Sequence, residues 1–264
     1  MDIERGDNER GDLKSERILF LNVPLDILPR ELLSDIILDF KSKRLEKAPF
    51  HQSPNIILLS LWDLLKARRN SEYREYVYKA ALVIPISKSI ISGAKFLTGK
   101  KPVRYMPFDF IINVLSILEK REGSLFLLGG SGSVLKKAEK NLRTTFPHLN
   151  IVGRSDARNY RKDETAVIQA IRKSLPDMLL AGKGVRGGEL WIARNSAELN
   201  SGFRLWCSDL FDILADKRKR PTDAVFDKGL EGIGFFLRNP LRILKIFPFM
   251  YFGLLLLVYR LFKR

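Results

Sequence analysis

Two glycine-rich segments of this 264-residue chain could bring backbone amides close to a phosphate group. The segment AGKGVRGGELWIARN spans residues 181–195 and has four glycines between residues 182 and 188. The segment LFLLGGSGSVLKKAEKNL spans residues 125–142 and has glycines at positions 129, 130 and 132. Each joins an apolar run to a helical pattern, and helix N-termini attract anions. Because neither has the GxGxxG or Walker A spacing, a phosphate cradle and a simple tight turn both stay open.

Other kinds of chemical site have few candidate residues. The single cysteine, Cys207, excludes an internal disulfide and is expected to be a small buried hydrophobic residue. The two histidines, His51 and His148, are too few to suggest a histidine-built metal site. No Asp-x-Asp pair occurs. We therefore expect neither a metal ion nor another cofactor, and any bound nucleotide would be held by helix ends and basic side chains.

The net charge of +16 predicts an anionic partner. Nucleic acid, a phosphate-bearing ligand and an acidic membrane surface would all satisfy this charge. The basic run at residues 217–220 is accompanied by no helix-turn-helix, RNP or OB pattern, which argues against nucleic acid. The hydrophobic fraction of 45% is that of a folded protein and excludes a wholly disordered chain.

Short apolar runs alternate with helical patterns along most of the chain. This alternation predicts an α/β fold with a doubly wound, Rossmann-like, mostly parallel sheet. Ligands of such sheets bind beyond the carboxyl ends of the strands. The runs predicted as strands are residues 18–23, 55–61, 81–85, 124–130, 149–153 and 177–182.

The carboxyl-terminal region predicts a helical, membrane-associating appendage. Its apolar run from Ile246 to Tyr259 is shorter than the roughly 18 to 20 residues of a spanning helix, and it contains Pro248. Basic residues flank the run on both sides, which favours a helix lying in the membrane interface. A buried helix between copies of a homo-oligomer and a single tilted span are the alternatives. The residues predicted to contact lipid are Phe247, Phe249, Tyr251, Phe252, Leu255, Tyr259, Arg260 and Lys263.

Three regions follow from these patterns. We expect residues 1–16 to form a polar tail with no secretory signal, residues 17–215 to form the α/β domain, and residues 216–264 to form the basic appendage.

Several segments occur in an order typical of one enzyme family. They are EYREYVYKAALVIP, LFLLGGSGSVLKKAEKNL, LNIVG, PDMLLAGKGVRGGELWIARN, FDILADKRKRP and RNPLRILK. From about Arg17 to its end, the chain resembles the WecG/TagA/CpsF glycosyltransferases, glycosyltransferase family 26. The most specific match is Glu189 followed by the Trp-Ile-Ala sequence of residues 191–193.

The resemblance implies a metal-independent, inverting hexosyltransferase of cell-envelope polysaccharide synthesis. It would transfer an N-acetylmannosamine-type sugar from a UDP-sugar to a polyprenyl-diphosphate-linked acceptor. The resemblance also implies a peripheral, monotopic location on the cytoplasmic face of the inner (plasma) membrane. The residues expected around the donor and its phosphates are Gly129, Gly130, Gly132, Gly184, Arg186, Glu189, Arg220, Arg242 and Lys245.

The chain also departs from the family pattern. The family's Pro-Asp-Gly-x-Gly motif carries the proposed general base, and Ile86 stands in place of that aspartate. The family's Thr-Pro-Asn is replaced by residues 58–60, Leu-Leu-Ser, and one basic position of the appendage is Phe235. Asp63 and Asp109 are the candidates for a substitute base. The alternative is a catalytically silent relative that acts as a membrane-docked binding or scaffold subunit.

Overall fold

The computed structural model describes residues 15–46, 54–229 and 247–262 and confirms the α/β prediction. Six parallel strands form the main sheet, and an antiparallel pair lies apart from it. The strands are β1 (Glu16–Phe20), β2 (Val23–Ile27), β3 (Asn55–Leu59), β4 (Leu82–Pro85), β5 (Ser124–Leu128), β6 (Asn150–Ser155), β7 (Met178–Ala181) and β8 (Phe203–Trp206). The order in the main sheet is β4-β3-β8-β7-β5-β6.

Twelve helices occur in the described residues, after a 3₁₀ turn at Arg30–Leu32. They are α1 (Leu33–Glu46), α2 (Leu61–Arg69), α3 (Ser71–Tyr78), α4 (Lys88–Thr98), α5 (Pro107–Glu119), α6 (Gly132–Thr145), α7 (Ala157–Lys162), α8 (Glu164–Ser174), α9 (Glu189–Arg194), α10 (Leu210–Leu214), α11 (Asp223–Lys228) and α12 (Phe247–Phe262).

Apolar side chains cover both faces of the main sheet. In β4, for example, Leu82 and Ile84 pack with α1 and α5, whereas Val83 faces the opposite layer with α2, α3 and α4. Such burial of both faces explains why the strands read as continuous apolar runs rather than as alternating ones. The helices lie on both sides of the sheet, as doubly wound folds require.

The predicted strand at residues 18–23 is wrong in extent and in partner. Leu21 and Asn22 have φ values of 50° and 61°, so the chain turns there and β1 pairs with β2 as a two-residue hairpin. The run therefore contributes to a separate two-stranded sheet and not to the parallel one.

The strand β8 was not predicted, although it lies between β3 and β7 in the centre of the sheet. Its apolar pattern is interrupted by Arg204, which is only 1% exposed. The Arg204 guanidinium donates hydrogen bonds to the carbonyls of Ser196 and Leu199 and to the Ser201 hydroxyl. These bonds offset part of the desolvation, which lowers the pKa of Arg204 to about 10.

One face of α12 packs against α2, α4 and the hairpin. Phe252 is buried beside Phe20 at a ring distance of 6.2 Å, and its ring lies against Gly93, where a Cβ would come within 2.9 Å. The Arg68 guanidinium also donates a 3.2 Å hydrogen bond to the Tyr259 hydroxyl. No helix in the described ranges is both long enough and apolar enough to cross a membrane. The exposed large apolar side chains of α12 are Phe247, Phe249, Met250, Tyr251, Leu254, Leu257, Val258, Leu261 and Phe262.

Of the predicted lipid contacts, Phe252 is wrong because it is buried in the core, Leu255 is half-buried, and the Arg260 guanidinium lies over the Phe96 ring at 5.3 Å. Lys263 and residues 1–14 of the predicted tail lie outside the described residues.

The hairpin is tied to the edge of the main sheet by the buried carboxylate of Asp26. Arg17 donates two 2.8 Å hydrogen bonds to it, and the Val83 N–H of β4 donates a third at 2.6 Å. Replacing a buried ion-paired carboxylate leaves its partners without a charged acceptor.

We expect Asp26→Asn to lower the free energy of unfolding by about 2 kcal/mol, because hydrogen bonds to a charged group are lost. Urea unfolding followed by circular dichroism measures this. The control is Asp35→Asn, an exposed position on α1, which should leave the midpoint unchanged. Equal midpoints for the two variants would mean that Asp26 does not hold the hairpin.

Candidate active site

A cleft of about 740 Å³ opens at the carboxyl ends of β3, β4 and β8. Parallel strands all end at the same edge of a sheet, so the residues that follow each strand meet there. Ser60 follows β3, Ile86 and Ser87 follow β4, and Cys207 follows β8. The Ser87 hydroxyl accepts a 3.0 Å hydrogen bond from the Leu61 N–H and so fixes the end of β4 to the start of α2.

The first turn of α2 places Asp63 in the wall of this cleft. The Asp63 N–H donates to the Ser60 hydroxyl, and the Asp63 carboxylate accepts from the Ser60 N–H at 2.9 Å and from its hydroxyl at 2.5 Å. This reciprocal arrangement is a capping box, which satisfies amides at the helix N-terminus. It also orients the Asp63 carboxylate through Ser60.

A second carboxylate, that of Glu189 at the start of α9, lines the same cleft. Its Oε1 lies 3.1 Å from the Lys66 ammonium. The Tyr73 hydroxyl is also hydrogen-bonded to Glu189, and burial raises the pKa of Tyr73 above its ordinary value. Lys66 lies 3.9 Å from the Tyr73 ring centroid, so the three side chains form one cluster.

Burial is the main cause that raises the pKa of Asp63 above its ordinary value. The negative charge of Glu189 raises it further, while the Ser60 hydroxyl and Lys66 oppose the shift. A carboxyl group with a raised pKa takes up a proton at higher pH than an exposed aspartate does. Asp63 is thereby suited to proton transfer.

The other wall of the cleft carries positive charge. Arg104 donates a 2.8 Å hydrogen bond to the Ile86 carbonyl and a second bond to the Phe226 carbonyl, and it lies 3.7 Å from the Phe226 ring centroid. Arg218 pairs with Asp209 at 2.5 Å. The wall also contains Lys88, so acidic and basic groups face one space.

Burial raises the pKa of the Cys207 thiol to about 12, so it stays protonated at neutral pH. No group of three potential metal-ligating side chains occurs in the part of the chain that the structure describes.

The two glycine-rich segments pack against each other beside this cleft. The Gly129 N–H donates to the Ser155 carbonyl at 2.8 Å and the Gly130 N–H to the Lys183 carbonyl at 2.6 Å. At Gly129, φ is 111° and a Cβ would lie 2.7 Å from the Gly182 carbonyl oxygen, so only glycine fits. These contacts give the glycines a structural role in the turns.

The start of α6, where anion binding was predicted, is approached by a carboxylate. A Cβ on Gly132 would lie 2.7 Å from the Asp156 Oδ2. Gly184 has φ of 101°, and a Cβ there would meet the Ala157 side chain at 2.4 Å. The described lining of the cleft includes Glu189 but neither of these glycines, and Arg186 is exposed outside it.

Comparison with known proteins decides the family. Residues 19–264 match the family described as Glycosyl transferase WecG/TagA/CpsF. The chain belongs to this family.

Three relatives share the name N-acetylglucosaminyldiphosphoundecaprenol N-acetyl-beta-D-mannosaminyltransferase. The Bacillus spizizenii protein is 23% identical over 177 residues, which cover 67% of this chain and 68% of that protein. The Bacillus subtilis protein is 21% identical over 176 residues, with the same coverage of 67% and 68%. A Staphylococcus aureus protein is 21% identical over 154 residues, or 58% of this chain and 60% of that one.

Within this WecG/TagA/CpsF member, the structure separates the two candidate bases. Asp63 lies in the cleft, whereas Asp109 pairs with Arg220 at 2.6 Å and lines a second cavity. Ile86 lines the cleft at the end of β4. Arg242, Lys245 and Phe235 lie outside the described residues.

The sequence did not single out Lys66, Tyr73 or Arg104 as site residues. The spacing of three between Asp63 and Lys66 on one helix was a usable signal, because such residues share a face. The position of Arg104 depends on a contact with α11 far along the chain, which local patterns do not reveal.

The raised pKa of Asp63 predicts a pH-dependent effect of Asp63→Asn on stability. The folded protein holds a proton that the unfolded chain releases, so the wild type loses stability as the pH rises from about 4 toward the raised pKa. Asp63→Asn has no ionisable group at this position, so its stability does not fall in this way as the pH rises. Its stability relative to the wild type should therefore increase as the pH rises from about 4 toward that raised pKa.

Urea unfolding of both proteins across this pH range measures the difference. Glu198→Gln, at an exposed position, is the control and should follow the wild type at every pH. A pH-independent difference for Asp63→Asn would show that the Asp63 pKa is not raised.

Proposed function

We propose that this protein is a membrane-associated glycosyltransferase of cell-envelope polysaccharide synthesis. It transfers an N-acetylmannosamine-type hexose from a UDP-sugar to a polyprenyl-diphosphate-linked acceptor. The observation that carries the proposal is the pair of carboxylates, Asp63 and Glu189, in a cleft at the carboxyl ends of the strands of a WecG/TagA/CpsF family member. The names of the Bacillus relatives support the choice of sugar and acceptor.

Asp63 acts as the general base in this proposal. It accepts the proton of the acceptor hydroxyl, whose oxygen forms a bond to the anomeric carbon of the donor sugar. The bond from that carbon to the diphosphate oxygen breaks, and UDP leaves with the electron pair. Attack opposite the leaving group inverts the configuration. Ser60 holds the Asp63 carboxylate in place through two hydrogen bonds.

Basic side chains offset the charge that develops on the departing diphosphate. Arg104, Arg218 and Lys88 lie on the cleft wall, so the reaction is proposed to proceed without a metal ion. Arg186 and the glycine-rich segments stay predicted donor contacts, and so do Arg242 and Lys245. The aromatic rings of Trp62 and Trp206 line the cleft and offer apolar surface to a sugar ring.

The exposed apolar face of α12 is the proposed membrane contact. Phe249 of the same helix is exposed and also lines the cleft, so this face begins at the edge of the cleft. An apolar helix face lying in the membrane interface would bring the mouth of the cleft close to the lipids. A lipid-linked acceptor could then present its sugar to Asp63 without leaving the membrane.

A catalytically silent binding subunit is the second candidate function. Ile86 favours it, because this side chain lies in the cleft where the family pattern has its proposed base and cannot accept a proton. Such a protein would keep the fold and the ligand cleft but perform no transfer.

Transfer from UDP-N-acetylmannosamine to a short-chain polyprenyl-diphosphate N-acetylglucosamine, followed by chromatography of the lipid product, tests the proposal. We expect turnover by the wild type and a loss of roughly two to four orders of magnitude in kcat for Asp63→Asn, because a general base is removed. Glu198→Gln should retain the wild-type rate.

Calorimetric titration of UDP into the same proteins separates binding from chemistry. Binding without turnover by the wild type would favour the silent subunit. Turnover that survives Asp63→Asn would refute the role of Asp63 and leave the enzyme proposal standing.

Restoring a carboxylate at residue 86 gives an independent prediction. If the position after β4 still faces the reacting groups, Ile86→Asp made in the Asp63→Asn background should raise kcat by tenfold or more, because it supplies a base where none is left and general-base catalysis contributes roughly 10²- to 10⁴-fold. Ile86→Asn in the same background has a similar shape but no base and should show no such gain. Equal rates for the two variants would mean that residue 86 no longer faces the acceptor.

A further inference from the structure

A second cavity of about 720 Å³ lies between α4, α5 and α11. It is bounded by α4 on one side and by the N-terminal end of α5 and the residues of α11 on the other. It touches the candidate active site, because four side chains line both spaces. These are Lys88, Arg104, Met106 and Phe226.

The charge of this cavity is predominantly positive. Among its acidic residues, Asp109 is neutralised by Arg220, which leaves Asp223 and Asp227 on α11. Five basic residues against these two give a formal charge of +3. The five basic residues are Arg30, Lys88, Lys95, Lys101 and Arg104.

Two of these cations are available to a ligand. Lys95 on α4 and Lys101 after it are exposed, and neither side chain forms an ion pair or hydrogen bond within the described ranges. By contrast, Lys88 donates to the Asp227 carbonyl at 3.0 Å, and Arg104 bonds the Ile86 and Phe226 carbonyls. Backbone carbonyls thus hold the charged groups of Lys88 and Arg104 on the wall that the two spaces share, whereas Lys95 and Lys101 line the second cavity alone.

The N-terminal end of α4 adds positive potential beside Lys88, whereas Lys95 lies in the last turn of the same helix. The first turn of α4 begins at Lys88 on the cavity wall, and it contains no acidic residue. Its N-cap residue, Ser87, makes no side-chain hydrogen bond to the helix amides, since its hydroxyl accepts from Leu61 instead. The partial positive charge at the N-terminus of this 11-residue helix thus lies at the Lys88 end of the cavity.

We propose that this second cavity binds a diphosphate group. A diphosphate carries two to three negative charges at neutral pH, which matches the excess of cations, and its oxygens accept hydrogen bonds from lysine ammonium groups. The shared wall places such a group next to the reaction site. The proposal stands on the cavity and its charges and does not depend on glycosyl transfer. Two kinds of ligand carry such a diphosphate group: a soluble diphosphate and a polyprenyl diphosphate lipid.

The test measures binding of inorganic pyrophosphate by calorimetry in metal-free, low-salt buffer, without any sugar donor. A second arm measures sedimentation with phosphatidylcholine vesicles that contain polyprenyl diphosphate. A third arm uses vesicles in which phosphatidylglycerol supplies the same surface charge.

The decisive variant is the double change Lys95→Gln and Lys101→Gln. We expect it to weaken diphosphate binding at least about tenfold, because two ligand-facing charges are removed. The control, Lys140→Gln with Lys173→Gln, removes two exposed charges on α6 and α8 and should change binding less than about twofold. Asp223→Asn should tighten binding, because it removes a competing carboxylate.

Pyrophosphate binding that the double variant weakens supports a site for soluble diphosphate. Binding confined to polyprenyl diphosphate vesicles, and weakened by the same variant, supports the lipid-linked source. Equal losses for the double variant and its control would overturn the proposal, as would equal binding to phosphatidylglycerol vesicles or no binding in any arm. None of these readouts involves turnover, so failure of this site and failure of the proposed transferase are distinguishable.

Discussion

The common direction of six parallel strands is the constraint on which the rest of the structure depends. It brings every strand-to-helix connection to one edge of the sheet, so residues far apart in the chain share a cleft. Lys66 and Glu189 are separated by 123 positions and form an ion pair there. The order of the strands then decides which connections are neighbours, and β3, β4 and β8 bring their ends together.

The same edge is where helix N-termini lie, and this couples helix stability to site chemistry. Asp63 caps α2 through Ser60 and is placed at the cleft by that cap. Burial and the nearby charge of Glu189 raise its pKa, while Glu189 itself contacts Lys66 and Tyr73. Two carboxylates in one space thus have different surroundings, which is the condition for giving them different roles.

Local patterns in the sequence were enough to predict the helices that follow the two glycine-rich segments, the carboxyl-terminal helix and five of the six parallel strands. The strand β8 was not predicted, because an arginine interrupts its apolar pattern. Arg204 is buried there through hydrogen bonds to a neighbouring loop, which no local pattern shows. The turn at Leu21 and Asn22 was not predicted, because leucine rarely adopts a positive φ. In the site, Glu189 and Asp63 line one cleft, whereas Asp109, which the sequence offered as an equal candidate to Asp63, lies in the wall of a second cavity. Its distance from the cleft is set by the packing of α5.

Ile86 and Asp63 are connected through the charge balance of the cleft. A buried carboxylate is harder to ionise when another carboxylate is near, and Glu189 already has this effect on Asp63. A third carboxylate at residue 86 would add further repulsion in the same space. With isoleucine there, fewer negative charges compete for the cations of Arg104 and Arg218. The apolar side chain therefore removes one candidate base while making it easier for Asp63 to work as another.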